Sequence, residues 1–262
     1  MTPIQQLFLG TGSAVATKTY VDDVFSTFLY KGTGSTNAIN NGIDLSSEGG
    51  LTWIKKRSGA QDNWFFDTAR GSGYGLRSNN NSSSTSTGNS YFTSFNTNGF
   101  SVGTQGSVND SSHTYASWSF RKSPGFFDVV TYTGDGNTSK QISHSLGCVP
   151  GMFIVKCTSN ESSSMSWYVY HRTTGNTKGL YLNGVGAGDT SSGFWNNTSP
   201  TSTHFTVSDA DPGAVTTNID GATYVAYVFA GGESTAATAR SVDFDGSDDI
   251  LQTSTSTDYE LG

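Results

Sequence analysis

The side chains here that could do chemistry are four histidines, two cysteines, a few acidic clusters and the tryptophans. His113, His144, His171 and His204 are scattered, and no two stand at the close spacing by which neighbouring imidazoles share a metal ion. Each reads as a surface or edge histidine. Asp243-Phe-Asp245-Gly-Ser-Asp248-Asp249 resembles a calcium loop superficially, but its glycine falls at the fourth position rather than the sixth and no glutamate closes it. It reads as an acidic turn. Asp22 and Asp23 are adjacent, so in an extended chain they point to opposite faces and cannot form an acid/base pair. Gly32-Thr-Gly34 and Gly184-Val-Gly186 each lack the third glycine of a dinucleotide loop, and there is no nucleophile elbow and no phosphate loop. Trp53, Trp64, Trp167 and Trp195, if exposed, could stack on sugars, yet no spaced carboxylate pair accompanies them. No catalytic, cofactor-binding or metal-binding residue is assigned, no cofactor is expected, and the chain reads as a non-enzyme.

Cys148 and Cys157 flank an apolar run that reads as a strand. Nine extended residues separate them by roughly 30 Å, whereas a disulfide needs Cα atoms about 5.5 Å apart. Two free thiols are expected, as in a protein assembled in a reducing cytosol.

The elements that must position these residues repeat. Gly50-Leu-Thr-Trp-Ile-Lys55 returns as Gly151-Met-Phe-Ile-Val-Lys156. Tyr30-Lys-Gly-Thr-Gly34 answers Tyr132-Thr-Gly-Asp-Gly136, and Trp64-Phe-Phe66 answers Trp167-Tyr-Val169. Gly75-Leu76 answers Gly179-Leu180, Gly99-Phe-Ser-Val102 answers His204-Phe-Thr-Val207, and Thr114–Phe120 answers Thr223–Phe229. The offset drifts from 101 (50 to 151) to 109 (114 to 223), as loop insertions cause. Matches kept in one order point to an internal repeat. Because Trp64 and Trp167 fall at matching positions, core packing suits them better than sugar stacking.

Within the repeats the apolar period is two. Ala116, Trp118 and Phe120 share one face against Ser117, Ser119 and Arg121; Val225, Tyr227 and Phe229 share the matching face, with Ala226 and Val228 opposite. Both faces of the second strand are apolar, which predicts a more central or covered position for it. Asn79–Thr85, Asn96-Thr-Asn-Gly99, Asp135-Gly136, Asn196-Asn197 and Asp211-Pro-Gly213 are turn chemistry. Tyr20–Val24 could form one helical turn before a strand at Phe25–Tyr30. Nowhere does a 3.6-residue period persist. The expected fold is all-β: two tandem β-sandwich modules from an internal duplication, at 20–122 and 123–231, meeting at the turn Lys122-Ser-Pro-Gly125.

Composition suits this. Only 13% of residues are charged, about half the usual share. Glycine, Ser, Thr and Asn fill the gaps between aromatic and β-branched runs, and aromatics reach 13%, too rich for a disordered chain. A net charge of −7 gives no basic footprint for nucleic acid. No apolar stretch approaches the length of a membrane span, so no membrane insertion is expected. Residues 1–19 read as an arm. A disordered terminus is one reading; the other, suggested by Ile4, Leu7, Phe8 and Leu9 lying so close together, is docking against another chain. Residues 232–262 read as a linker followed by the start of an incomplete module.

Several phrases resemble virion structural proteins of marine tailed phages: Tyr20–Gly32, Asn41-Gly-Ile-Asp-Leu45, Gly50–Lys55, Phe127–Gly136 and Val149–Lys156. The likeness covers about 20–231. In that family the unit is often followed by a laminin-G or concanavalin-like sandwich, and Ser241–Asp249 resembles its opening strand. The resemblance implies a virion structural protein, foremost the particle-proximal part of a tail fibre serving host attachment. It implies sister copies in a homotrimer, contact with a phage tail adaptor, nozzle or other virion protein, and assembly in the bacterial host cytoplasm. A host surface glycan would be a partner only through the missing lectin-like module. It brings no catalytic residue. A capsid decoration or head fibre protein is the alternative, and a fragment of a carbohydrate-active enzyme is a further one.

Overall fold

The computed structural model describes residues 19–159, 165–186, 188–211 and 216–231. It is all-β and antiparallel throughout. The first half holds β1 (Phe25–Lys31), β2 (Asn37–Asn40), β3 (Gly50–Lys56), β4 (Trp64–Asp67), β5 (Tyr74–Arg77), β6 (Thr85–Ser86), β7 (Phe92–Asn96), β8 (Gly99–Val102) and β9 (Thr114–Arg121). The second holds β10 (Phe127–Thr133), β11 (Lys140–Ser143), β12 (Pro150–Cys157), β13 (Tyr168–His171), β14 (Lys178–Tyr181), β15 (Asp189–Thr190), β16 (His204–Val207) and β17 (Thr223–Ala230). Helix is confined to single turns: α1 (Val21–Val24), α2 (Gly106–Asn109), α3 (Ser192–Trp195) and a 3₁₀ turn at Gly88–Ser90.

The strands make two large sheets, ordered β1-β9-β3-β4-β5-β6 and β10-β17-β12-β13-β14-β15, and two small ones, β2-β8-β7 and β11-β16. The halves thus share one strand order in their large sheets. Their registers also correspond. Leu51 lies opposite Phe120 as Met152 lies opposite Phe229, and Lys55 opposite Ala116 as Lys156 opposite Val225. Ile39 faces Phe100 as Ile142 faces Phe205.

Small sheets cover the outer faces of the large ones. Ile39, Ile54, Trp64, Phe66, Phe92 and Phe100 are among the residues filling the first sandwich; Ile142, Phe153, Tyr170, Trp195 and Phe205 are among those filling the second. A third core joins the inner faces of the two large sheets, where Leu51, Phe65 and Leu76 meet Phe127, Val129, Ile154, Trp167, Val225 and Tyr227. The result is four layers, small–large–large–small. The central strands of both large sheets are buried on both faces, and β9 and β17 hold the same central place in them. The serine face of β9 is as buried as its apolar counterpart, so β9 is covered there too, although its polarity points to the second strand as the more covered of the two. Ser117 and Ser119 are fully buried because neighbours satisfy them: Ser117 Oγ donates to Phe28 O at 3.4 Å, and Asn41 Nδ2 donates to Ser119 Oγ at 2.8 Å.

Each half closes one end with the same lock. The Tyr30 hydroxyl donates to Val108 O and the Tyr132 hydroxyl to Thr217 O, both at 2.7 Å. The next residue in each case is a fully buried asparagine, Asn109 or Asn218. Asn109 Oδ1 accepts from Thr33 N at 2.9 Å while its Nδ2 donates to Gly103 O at 2.6 Å; Asn218 Oδ1 accepts from Asp135 N at 3.2 Å while its Nδ2 donates to Asn137 O at 2.8 Å. Glycine is required beside each lock: a Cβ on Gly32 would lie 2.1 Å from Asp110 O, and one on Gly134 1.9 Å from Ile219 O.

Candidate functional site

The tryptophans are not a binding platform. Trp64, Trp167 and Trp195 are buried, and Trp53 is half-buried against Phe65 and Trp118 with ring centroids 4.9 and 5.2 Å away. Trp64 and Trp167 also do not correspond. Ile54 pairs with Trp64, and its counterpart Val155 pairs with Tyr168, so Tyr168 takes the place of Trp64. A slip of one residue changes face: Trp64 packs inside the first sandwich, while Trp167 lies between the large sheets.

The other singled-out residues are dispersed. His144 is buried rather than at the surface; Leu146 N donates to its Nδ1, and its Nε2 lies 3.2 Å from Thr201 O. Burial lowers its pKa. Asp22 and Asp23 fall in α1 rather than a strand, and Asp23 accepts a hydrogen bond from Tyr20 N at 2.8 Å. Cys148 and Cys157 are both free, Cys157 buried in the second sandwich. Among the described residues no cluster of three or more His, Cys, Asp or Glu could hold a metal ion. No described helix is long and apolar enough to cross a membrane. Ile4, Leu7, Phe8 and Leu9, and the segment 241–262 with its acidic turn, lie outside the described residues.

The polar side chains that the structure does bring together lie at the seam between the large sheets. Asp67 ends β4 fully buried. Its Oδ2 accepts from Arg70 Nε and from the Tyr227 hydroxyl, each at 2.7 Å, and its Oδ1 accepts from Arg70 N at 2.9 Å. Arg70 also donates through Nη1 to Ser84 Oγ at 3.1 Å. Burial alone would lower the guanidinium pKa, but Tyr227 and Asp67 outweigh it and raise it. Burial, with the Asp67 charge, pushes the Tyr227 phenol well up. Asp67 and Arg70 therefore form a desolvated ion pair that Tyr227 of the opposite sheet completes.

Lys156 crosses the seam the other way. It is buried, and its ammonium donates to Met165 O at 2.6 Å and to Asn81 O at 3.0 Å, the latter in the first half. Burial lowers its pKa to about 8. Trp167 Nε1 points toward Arg77 O and Asn80 O at 3.0 and 3.1 Å, and Ser84 N donates to Thr158 O at 3.1 Å. The loop after β5 is thus held to the second half along its length.

Beside this network a cleft of about 440 Å³ opens, lined by Arg70, Tyr74 and Ser84 from the first half and, from the second, by Tyr132, Tyr224 and threonines of β10, of β17 and just after β12. Sequence reasoning missed it because its walls come from both halves and contain no catalytic pattern.

Among curated proteins and among solved structures nothing matches this chain. A family model does match, over residues 21–238, and the chain belongs to that family, described as Domain of unknown function (DUF7483).

Proposed function

We propose that this chain is a non-enzymatic structural protein of a phage virion, part of a tail fibre near the particle. The observation that carries the structural reading is the use made of buried ionisable groups. Asp67, Arg70, Tyr227 and Lys156 are bound to each other or to backbone carbonyls across the two large sheets, so their polar groups serve to join layers. A seam tied this way suits a part that transmits load between neighbours. The virion assignment itself rests on the phrases shared with marine phage structural proteins. In this reading the strand-order correspondence of the two halves comes from a duplication, copies assemble as a homotrimer, and Ile4, Leu7, Phe8 and Leu9 of the arm dock on a neighbouring virion protein.

Gold-labelled antibody against the purified protein, applied to particles that carry it, is expected to mark the tail. Label on the head would replace the tail-fibre reading with a decoration or head fibre, and particles free of label and of the polypeptide would refute a virion role. Deleting residues 1–10 should leave the circular dichroism spectrum unchanged and remove the protein from particles. Normal occupancy after the deletion would discard the docking role of the arm.

A further inference from the structure

The inner face of the second large sheet changes character in rungs. Phe127, Phe229 and Met152 stand level on β10, β17 and β12, followed by Val129, Tyr227 and Ile154, then by Thr131, Val225 and Lys156. The next rung is hydroxyl throughout. Thr133 lies opposite Thr223, and Thr158 follows β12 with its N–H donating to Thr223 O at 2.7 Å. Thr158 Oγ1 and Thr223 Oγ1 are 2.8 Å apart and hydrogen-bonded, which orders both hydroxyls. This rung, with Thr131, Tyr132 and Tyr224 beside it, is one wall of the cleft; Arg70, Tyr74 and Ser84 form the other.

The chemistry of these walls selects a ligand class. Among the described residues Arg70 is the one charged residue lining the cleft, and Asp67 neutralises it, so these walls offer no unmatched charge to an anion. An apolar ligand would strip water from the threonine hydroxyls without replacing their hydrogen bonds. Tyr74 is 50% exposed and lines the cleft, so its ring is accessible from it. A ring face beside ordered, neutral hydroxyls complements a pyranose, which has an apolar C–H face and a polar rim. The volume falls in the range of small-molecule sites.

We propose that this cleft binds a short neutral saccharide, with the sugar ring against Tyr74 and its hydroxyls on Thr133, Thr158 and Thr223. The site lies within residues 70–224 and does not depend on a place in a virion. Isothermal titration and saturation-transfer NMR on the full chain, with maltotriose, cellotriose, mannotriose and chitotriose as probes, test it. At least one is expected to bind with a Kd of about 0.1–5 mM. Tyr74→Ala should weaken that binding about tenfold or more, Tyr74→Phe should retain most of it, and Thr133→Val should weaken it several-fold. Tyr74 and Thr133 are exposed and lie in different halves, so either variant tests the site if the other misfolds. No saturation by any probe at about 20 mM, affinity unchanged in both Tyr74→Ala and Thr133→Val, or displacement of the sugar by sulfate at similar concentration would each overturn the proposal.

Discussion

Replacing Asp67 by asparagine keeps the shape of the seam and removes its negative charge. Asp67 is wholly buried and the Arg70 side chain is only 7% exposed, so the guanidinium left behind reaches little water. It keeps its proton, because an arginine guanidinium stays charged even where burial lowers its pKa. The asparagine carbonyl in place of Oδ2 can still accept from Arg70 and Tyr227, though more weakly than a carboxylate, while its amide NH₂ would face Arg70 N, to which Oδ1 was the acceptor. Breaking a buried pair by neutralising one partner costs about 3–5 kcal/mol, a large fraction of the roughly 5–15 kcal/mol that stabilises a domain. Tyr227→Phe removes one charge-assisted hydrogen bond and should cost about 1.5–3 kcal/mol. Because both changes act on Asp67 Oδ2, the double variant should lose less than the sum of the singles. Replacing Asp67 and Arg70 together by Leu and Met removes both charges and should cost less than Asp67→Asn alone. Urea unfolding at neutral pH, read by tryptophan fluorescence, measures all four. If Asp67→Asn costs under about 1 kcal/mol, or if the Leu/Met pair costs more than it, the pair is not a desolvated tie.

The Lys156 ammonium titrates near pH 8 in the folded chain and near 10.5 unfolded, so the unfolded chain holds the proton longer and stability should rise with pH from about 8, by up to about 3 kcal/mol over the full interval. Tyr30, Tyr132 and Tyr227, whose pKa values burial raises, lose their contribution above about pH 10, so the rise is read between 8 and 10, and urea midpoints of Lys156→Met should lack it. Asn109→Ala and Asn218→Ala should each cost about 2–3 kcal/mol by leaving buried backbone groups unpaired, and unfolding curves that show a loss for one alone would end their equivalence. A fragment of residues 20–122 bares Leu51, Phe65 and Leu76 to water, so it should bind the dye ANS strongly and lose that binding when 123–231 is added. A monomeric fragment that binds no dye would show that the inner face needs no cover.

Much of this arrangement was legible in the residues. Alternation at period two located β9 and β17, and the Lys122–Gly125 turn separates β9 from β10 as its Pro-Gly chemistry predicts, with Gly125 at φ +73°. The likeness of Gly50–Lys55 to Gly151–Lys156 fixed a register that the hydrogen-bonded pairs share. The tryptophan alignment failed for a countable reason. Ile54 to Trp64 spans ten residues (64 − 54), but Val155 to Tyr168 spans thirteen (168 − 155), so the connection is three residues longer. An indole shared by both halves hid the odd offset. The seam was hidden for another reason: Asp67 and Tyr227 are 160 residues apart, and neither is unusual alone. The serines of β9 misled because alternation reports polarity, whereas burial depends on whether neighbours can satisfy a hydroxyl.

Seam and cleft are consequences of one geometry. β-sheets twist, so two of them packed face to face cannot keep contact along their whole length and must part toward an edge of the contact. Where they meet, the facing rungs must be apolar, as Phe127, Val129, Ile154 and Tyr227 are. Where they part, water enters and the same strands must turn polar, as at Thr133, Thr158 and Thr223. Between the two zones a side chain faces core on one side and water on the other. Arg70 and Lys156 occupy that border: each buries an aliphatic stem while its charged head reaches fixed oxygens, Asp67 for one and the carbonyls of Asn81 and Met165 for the other. Both cations hold the layers together on the dry side. On the wet side, Arg70 becomes part of the cleft wall with its charge already matched. A site built there inherits rigidity from the core beside it and neutrality from the ion pair beneath it, the two properties that recognition of an uncharged polyol requires.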